Sequence, residues 1–291
     1  MISIILTAYK EDKTVGRAIE SILSNSLSED YEILVVAPDE LTLRATDKYL
    51  KNKNIKAIQD KGAGKPAALN LAVKKARGEI LVLTDGDVYI GNNALKPLLD
   101  PLKSSEIGAV SGRPISLNSK NTRYGFWAYV LTATAHERRL KATRLNKRFF
   151  CSGYLFAIRK ELFPQLPTEL LSEDGFVSHE VYKKKYKIAY SPDSFVYVKY
   201  PTNFNDWIIQ KKRSAGGYNQ IKKINGVEMR SFKKESQGAF GLFKYVSTIN
   251  EFFWMALLFF SRVYLWLVIY RDINIKKKLH SEIWKRVEST K

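Results

Sequence analysis

From Ile2 to Gly112 the chain alternates short β-branched and aliphatic runs with stretches of helical periodicity. This alternation limits the fold more than any other feature, because it is the pattern of a mostly parallel sheet covered by helices. It predicts strands at Ile2–Leu6, Glu32–Val36, Ile55–Ile58, Ile80–Leu83 and Gly108–Ser111. Between the first two, Val15, Ile19, Ile22 and Leu23 recur at spacings of three and four and lay an apolar helical face on the sheet. Leu69 and Val73, with Ala67, Ala68, Ala72 and Ala76, mark another helix after Pro66, a residue suited to a first helical turn. Beyond Gly112 the order is less regular. A helix is expected over Tyr124–Leu140, a basic loop over Lys141–Arg148, an apolar piece over Gly153–Ile158 and a second helix after Asp174. Two strands near Tyr186–Ala189 and Phe195–Val198 would extend the sheet.

A length of 291 residues allows one compact α/β body with an appendage. The formal charge of +19 implies partners that carry negative charge: nucleic acid, anionic lipid headgroups, or a phosphorylated donor and acceptor. The single cysteine, Cys151, excludes an intramolecular disulfide and a thiolate zinc cluster, and His136, His179 and His280 are far apart in the sequence. A reducing compartment follows. Met1-Ile2-Ser3-Ile4-Ile5-Leu6 has no basic leader region and reads as a strand, so the body is expected in the cytoplasm.

The last part differs in kind. Phe252–Tyr270 is apolar throughout except for Ser261 and Arg262, and is long enough for a membrane helix. An arginine at a bilayer centre costs about 2.5–3.5 kcal/mol on insertion scales, which disfavours a simple span. Lys222, Lys223, Arg230, Lys233 and Lys234 precede the segment, and Arg271, Lys276, Lys277, Lys278, Lys285 and Arg286 follow it. A single crossing would put one basic cluster outside, against the positive-inside tendency. The expectation is a monotopic or re-entrant segment with both flanks at the cytoplasmic face of an anionic membrane. A single pass and a homo-oligomer interface are the alternatives.

The buried-strand run Ile80-Leu81-Val82-Leu83-Thr84 ends at once in Asp85-Gly86-Asp87. In open α/β sheets ligands collect at the carboxyl ends of the strands, and two hard carboxylates there suit Mg²⁺ or Mn²⁺ shared with a nucleotide diphosphate. Taken alone, the tripeptide reads first as an acidic turn after a strand, since Asp-Gly is a common turn pair. Lys61-Gly62-Ala63-Gly64-Lys65-Pro66 precedes a helix, where backbone amides, dipole and charge can meet phosphates. It lacks the full Walker arrangement and the Rossmann glycine spacing, and a solvated basic loop is the alternative. Ser172-Glu173-Asp174 reads either as a helix cap with acids favoured by the dipole or as a rigid platform for a general base.

Together these pieces resemble family 2 glycosyltransferases. Thr7-Ala8-Tyr9-Lys10-Glu11-Asp12, Lys65 with Ala68-Leu69-Asn70, Gly78-Glu79-Ile80 and Asp85-Gly86-Asp87 stand in that family's order. Ser172-Glu173-Asp174 resembles its acidic catalytic motif, and Gln210-Lys211-Lys212-Arg213 resembles the Gln-x-x-Arg-Trp signature of its polysaccharide synthases. The match runs over roughly residues 1–215. It implies an α/β fold of the GT-A type, a mostly parallel, Rossmann-like sheet flanked by helices, followed here by an apolar helical membrane-associated segment. It places Tyr9, Glu11 and Asp39 near the nucleotide base and ribose, with Thr7 and Asn70 in the same binding group. Lys65 falls near the diphosphate, and Asp85 and Asp87 at a Mg²⁺ or Mn²⁺ ion. Asp174 is the implied catalytic base beside Glu173. Gly153 lies in the acceptor-side segment Ser152-Gly153-Tyr154, and Gln210 and Arg213 bind diphosphate or acceptor across the cleft. Two departures stand out: Ala37-Pro38-Asp39 replaces paired aspartates, and Ser214 stands at the signature tryptophan.

The implied organisation is a nucleotide-sugar-binding half over 1–115, an acceptor-binding and catalytic half over 116–225, and a basic aromatic membrane-associated part over 226–291. The implied reaction is inverting transfer from a nucleotide-diphosphate sugar, UDP-linked by preference. The acceptor would be a hydroxyl of a lipid-linked glycan, glycolipid or polysaccharide. A nucleic-acid-binding protein would share the charge and the basic stretch before Phe149 and Phe150, but no nucleic-acid module is visible. A silent membrane scaffold is disfavoured by retention of every acidic motif.

Overall fold

Six consecutive buried residues mark β1 (Ile2–Thr7) as an interior strand of the sheet. It pairs in parallel with β2 (Tyr31–Ala37) on one side and β4 (Ile80–Asp85) on the other, and β3 (Ile55–Gln59) extends the sheet beyond β2. Side chains alternate between faces along a strand. Ile4 and Leu6 therefore meet Val15, Ala18, Ile19 and Ile22 of α1 (Val15–Leu23). Ile5 faces the other way, onto Ala68, Leu69 and Ala72 of α3 (Lys65–Lys75). The short α2 (Glu40–Arg44) follows β2. The computed structural model describes residues 1–226, 239–272 and 287–290.

The second half of the sheet is mixed. β7 (Leu155–Arg159) runs antiparallel to β4 and to β6 (Ile107–Ser116), and β6 runs parallel to β8 (Lys187–Val198). A short β5 (Val88–Ile90) closes the far edge antiparallel to β8, and α4 (Leu95–Leu99) leads from it toward β6. The order is β3-β2-β1-β4-β7-β6-β8-β5. The expected boundary near residue 115 thus falls at the end of β6, inside one continuous sheet.

Two local expectations are corrected. The two strands expected within 186–198 are the single strand β8, because a register shift between Ser111 and Arg113 of β6 absorbs the polar Ser191-Pro192-Asp193-Ser194 stretch. Ser191 Oγ donates to the Pro97 carbonyl (2.9 Å) and lies 2.7 Å from Ser194 Oγ, so these hydroxyls are satisfied inside the fold. The helix α5 (Arg123–Arg144), capped by Thr122 Oγ1 accepting from the Gly125 N–H, continues through half of the expected basic loop.

After α6 (Glu173–Lys183) and β8 comes α7 (Phe204–Asn225), and α8 (Ile249–Tyr270) packs against α5 and α7. Thr248 and Glu251 form a capping box at the start of α8. Its sequence is apolar all round, yet the fold divides it. Met255, Leu258, Leu265 and Ile269 pack with Phe126, Trp127 and Val130 of α5 and Trp207 of α7. Trp127 Nε1 donates to the Trp254 carbonyl at 2.7 Å. Phe252, Phe253, Leu257, Phe260, Val263, Tyr264, Leu267 and Tyr270 remain exposed. By length and composition α8 is able to cross a membrane. Arg230, Lys233, Lys234, Lys276, Lys277, Lys278, Lys285 and Arg286 of the expected basic flanks lie outside the described residues, as do the side chains of Lys222 and Lys223.

Candidate active site

Asp85 ends β4 in register with Thr7 of β1, and Thr7 Oγ1 donates to Asp85 Oδ1 at 3.2 Å. The next residue, Gly86, donates its N–H to the Thr7 carbonyl at 2.9 Å. A Cβ on Gly86 would lie 2.4 Å from Glu11 Oε2 and 2.8 Å from Ala8 Cβ. Only glycine lets the Glu11 carboxylate lie this close to the acidic turn.

The loop after β1 is shaped by Asp39. Its carboxylate caps α2 by accepting from Thr42 N (3.0 Å) and Thr42 Oγ1 (2.7 Å), and also accepts from the Lys10 N–H at 2.8 Å. Lys10 takes a left-handed φ of 54°, and Glu11 N donates to Thr42 Oγ1 at 2.8 Å. Burial opposes the Asp39 charge, but the Thr42 hydroxyl and the backbone donors outweigh it and lower its pKa. Tyr9 presents an exposed ring beside this loop.

Lys65 joins the two acidic motifs. Gly64, at φ 93°, precedes the first turn of α3, and Lys65 Nζ lies 2.6 Å from Asp85 Oδ1 and 2.7 Å from Glu173 Oε1. Burial disfavours the ammonium charge, yet Asp85 and Glu173 outweigh it and hold the Lys65 pKa well above the usual lysine range. Burial likewise pushes Glu173 up, and Lys65 with Arg213 brings it below the usual carboxylate range. Asp85 is raised, first by burial and then by the charge of Asp87, against the pull of Lys65.

Asp174 stands in the first turn of α6. Its Oδ1 accepts from Ser172 Oγ (2.7 Å) and Gly175 N (2.8 Å), and its Oδ2 from Gly153 N (3.1 Å). Ser172 makes no side-chain bond to the helix backbone, so its hydroxyl orients Asp174 instead of capping α6. Burial and the neighbouring Glu173 charge raise the Asp174 pKa, against the donors that surround it.

Tyr154 follows Gly153, and its hydroxyl is pushed up to about 12, chiefly by burial, with Arg213 opposing and Asp87 and Asp85 adding. That phenol therefore feels both the Asp-Gly-Asp turn and Arg213. Gln210, one turn earlier on α7, is buried, and its Oε1 has no hydrogen-bond partner among the described residues. Tyr154 packs edge-on against Tyr200 at 6.1 Å between ring centres. Sequence reasoning did not single out Tyr200, which follows β8 with no periodic signal. Asn70 is not brought into this group by any side-chain bond. Its amide pairs reciprocally with the backbone of Leu166, Nδ2 donating to the carbonyl (2.9 Å) and Oδ1 accepting from the N–H (3.0 Å).

Among the described residues, no three His, Cys, Asp or Glu side chains gather as a metal site. Asp85 and Asp87 supply two hard carboxylates, which suits an ion that completes its shell with phosphate and water oxygens. The ammonium of Lys65 against Asp85 marks the position as one already balanced by positive charge.

The sheet and its two facing acidic motifs define a GT-A type transferase fold. A mannosyltransferase from Pyrobaculum calidifontis, solved with GDP-Man and Mn²⁺, shares the fold with a TM-score of 0.60 and 17% identity, over 97% of this chain and 84% of that one. TarS residues 1–349 from S. aureus, solved with UDP, gives a TM-score of 0.55 at 19% identity, over 82% and 78% of the two chains. The chain belongs to the glycosyltransferase-like family 2, whose profile matches residues 1–217. Poly-β-1,6-N-acetyl-D-glucosamine synthase from Staphylococcus epidermidis is 25% identical over 232 residues, 76% of this chain and 55% of the synthase. The chain thus spans about half the length of that relative. Poly(ribitol-phosphate) β-N-acetylglucosaminyltransferase TarS from Staphylococcus aureus is 31% identical over 101 residues, 32% of this chain and 17% of TarS.

Proposed function

We propose that the chain transfers a sugar from a nucleotide-diphosphate donor, UDP-linked by preference, to a hydroxyl of a lipid-linked glycan, glycolipid or polysaccharide, with inversion at the anomeric carbon. The observation that carries this reading is Lys65, whose ammonium touches both Asp85 and Glu173 and so joins the donor motif to the base motif. The donor half spans 1–115, the acceptor half 116–225 and the membrane-associated part 226–291.

Asp174 removes the acceptor proton. Its Oδ2 accepts one bond, from Gly153, and keeps acceptor capacity for an incoming hydroxyl. A raised proton affinity improves a carboxylate as a base, provided the pH stays above its pKa. Attack opposite the departing diphosphate in one displacement inverts the anomeric centre. Lys65 and Arg213 meet the negative charge that develops on the leaving group. Mg²⁺ or Mn²⁺ held by Asp85 and Asp87 supplies further neutralisation of that diphosphate when bound. Thr7, Glu11 and Asp39 shape the donor loop, and the exposed Tyr9 ring offers a face to the base.

The outward face of α8 rests in the plane of an anionic membrane at its cytoplasmic side, with its inward face fixed to α5 and α7. The division of α8 into buried and exposed stripes supports an in-plane helix over a span. A screen of UDP- and GDP-sugars with Mn²⁺ or Mg²⁺, reading nucleotide diphosphate release with and without membrane lipid extract, tests the proposal. Release from a UDP-sugar that rises with lipid extract is expected; no release from any donor with either metal would end it.

A further inference from the structure

Beyond the donor and base residues, a second group of chemistry-bearing side chains stands in the acceptor half. Arg113 comes from β6, His136 and Arg139 from α5, and Tyr190 from β8. His136 Nδ1 and the Tyr190 hydroxyl lie 2.7 Å apart. The Arg139 guanidinium stands 5.9 Å from the centre of the Tyr190 ring, and its Nε donates to the Phe150 carbonyl at 3.4 Å. The Arg113 guanidinium lies 5.4 Å from the Phe195 ring. All three basic side chains are half-buried. His136 is held below the usual histidine range, first by burial and then by the Arg113 charge, with Arg139 adding to it and Glu137 opposing. Glu137 is itself exposed and ion-paired with Lys244. Among the described residues no carboxylate pairs with Arg113 or Arg139.

Like charges gathered in a partly dry setting repel, and the arrangement is stabilised when an anion arrives to accept their hydrogen bonds. The donor diphosphate already has Lys65, Asp85 and Asp87. Arg139 holds the carbonyl of Phe150, three residues before Gly153, whose N–H holds Asp174, so about 11 Å of extended chain at most separates the two anchor points. An anion at this group is therefore within reach of an extended acceptor whose hydroxyl is presented to Asp174. Phe195 adds apolar surface for the carbons of a sugar or polyol, and the buried Phe149 backs the Tyr190 ring edge-on at 6.4 Å.

We propose that Arg113, His136 and Arg139 form a subsite for a phosphate group carried by the acceptor, which makes the acceptor a phosphodiester-bearing glycan or polyol chain. This rests on the transferase reading above, and it names the acceptor class that reading leaves open.

Calorimetric titration of the full chain without donor tests it, using a short glycerol-phosphate oligomer, an uncharged N-acetylglucosamine oligomer and phosphatidylglycerol vesicles. Arg113→Gln should weaken binding of the phosphate oligomer about tenfold or more, as loss of one charge-assisted hydrogen bond implies. Arg113→Gln combined with Arg139→Gln should weaken it further, with binding of UDP and Mn²⁺ retained. Arg139→Gln also removes the bond to the Phe150 carbonyl, so Arg113→Gln, which disturbs no such bond, is the deciding variant. Unchanged affinity for the phosphate oligomer in Arg113→Gln, or an equal loss for the uncharged oligomer, overturns the subsite. Loss of vesicle binding with oligomer binding intact assigns the group to lipid headgroups and overturns it too. Because no donor is present, a chain that binds the oligomer yet releases no nucleotide from any sugar donor contradicts only the transferase reading. Normal transfer with unaltered oligomer binding in the variants contradicts only the subsite.

Discussion

Asp174 stands under two opposing influences: burial and Glu173 favour its protonated form, while Ser172, Gly175 and Gly153 favour the anion. The net shift is upward, so the carboxyl keeps its proton to a higher pH than an exposed aspartate near 3.9. Base catalysis needs the anion, and turnover must fall as pH drops through that raised value. The acid limb of the rate profile should therefore lie above the ordinary aspartate range. Asp174→Asn should remove that limb and lower turnover by about 10²-fold or more, with donor affinity nearly intact. Rate profiles of both proteins beside a donor titration check this; donor binding that collapses together with the fold would make Asp174 a structural residue. Asp85, Asp87, Glu173 and Asp174 were legible as candidates in the sequence through the order of the motifs around them. The contact of Lys65 with both Asp85 and Glu173 was not, since it depends on how segments far apart in the chain pack. The Tyr154–Tyr200 pair was hidden for the same reason.

At the scale of elements, Asn70 shows that motif order does not reveal a side chain's partner. It stands on α3 within the motif grouped with the donor site, but its amide closes a reciprocal pair with Leu166 in the segment leading to α6. Asn70→Ala should cost about 1–3 kcal/mol of stability, the penalty for backbone groups left unpaired. UDP affinity should stay near wild type, since no donor contact is lost. Urea melts and a nucleotide titration separate the outcomes: reduced affinity at unchanged stability would restore Asn70 to the donor site. The parallel half was readable because β1, β2 and β4 are continuous apolar runs with helices between them. β5 has three residues, too few to carry a period, and β8 hid behind Ser191-Pro192-Asp193-Ser194, which reads locally as a turn. The end of α5 was misread from its charge, although lysine and arginine are good helix formers.

At the scale of the whole molecule, α8 links the catalytic body to its surroundings. Its inner face covers Trp127 and Trp207, so deleting it would open the packing around α5 and α7 as well as remove the proposed membrane contact. Substitution of the exposed stripe is the cleaner test. Phe253, Phe260 and Leu267, all exposed, changed together to Ser should abolish flotation with anionic liposomes at moderate salt while leaving the melting temperature and UDP binding close to wild type. At low salt a residue of binding should persist through the net charge of +19 and be lost as salt rises. If flotation is unchanged and a dimer becomes a monomer, the stripe is a subunit interface. A metal-dependent nucleotide site at Asp85 and Asp87, facing Asp174, can be read by calorimetric titration of UDP into the full chain. Binding is expected with Mn²⁺ and should disappear with chelator and in Asp87→Asn, since an amide brings no anionic charge to a divalent cation. Equal UDP affinity in the chelated wild type and in Asp87→Asn with Mn²⁺ would contradict it.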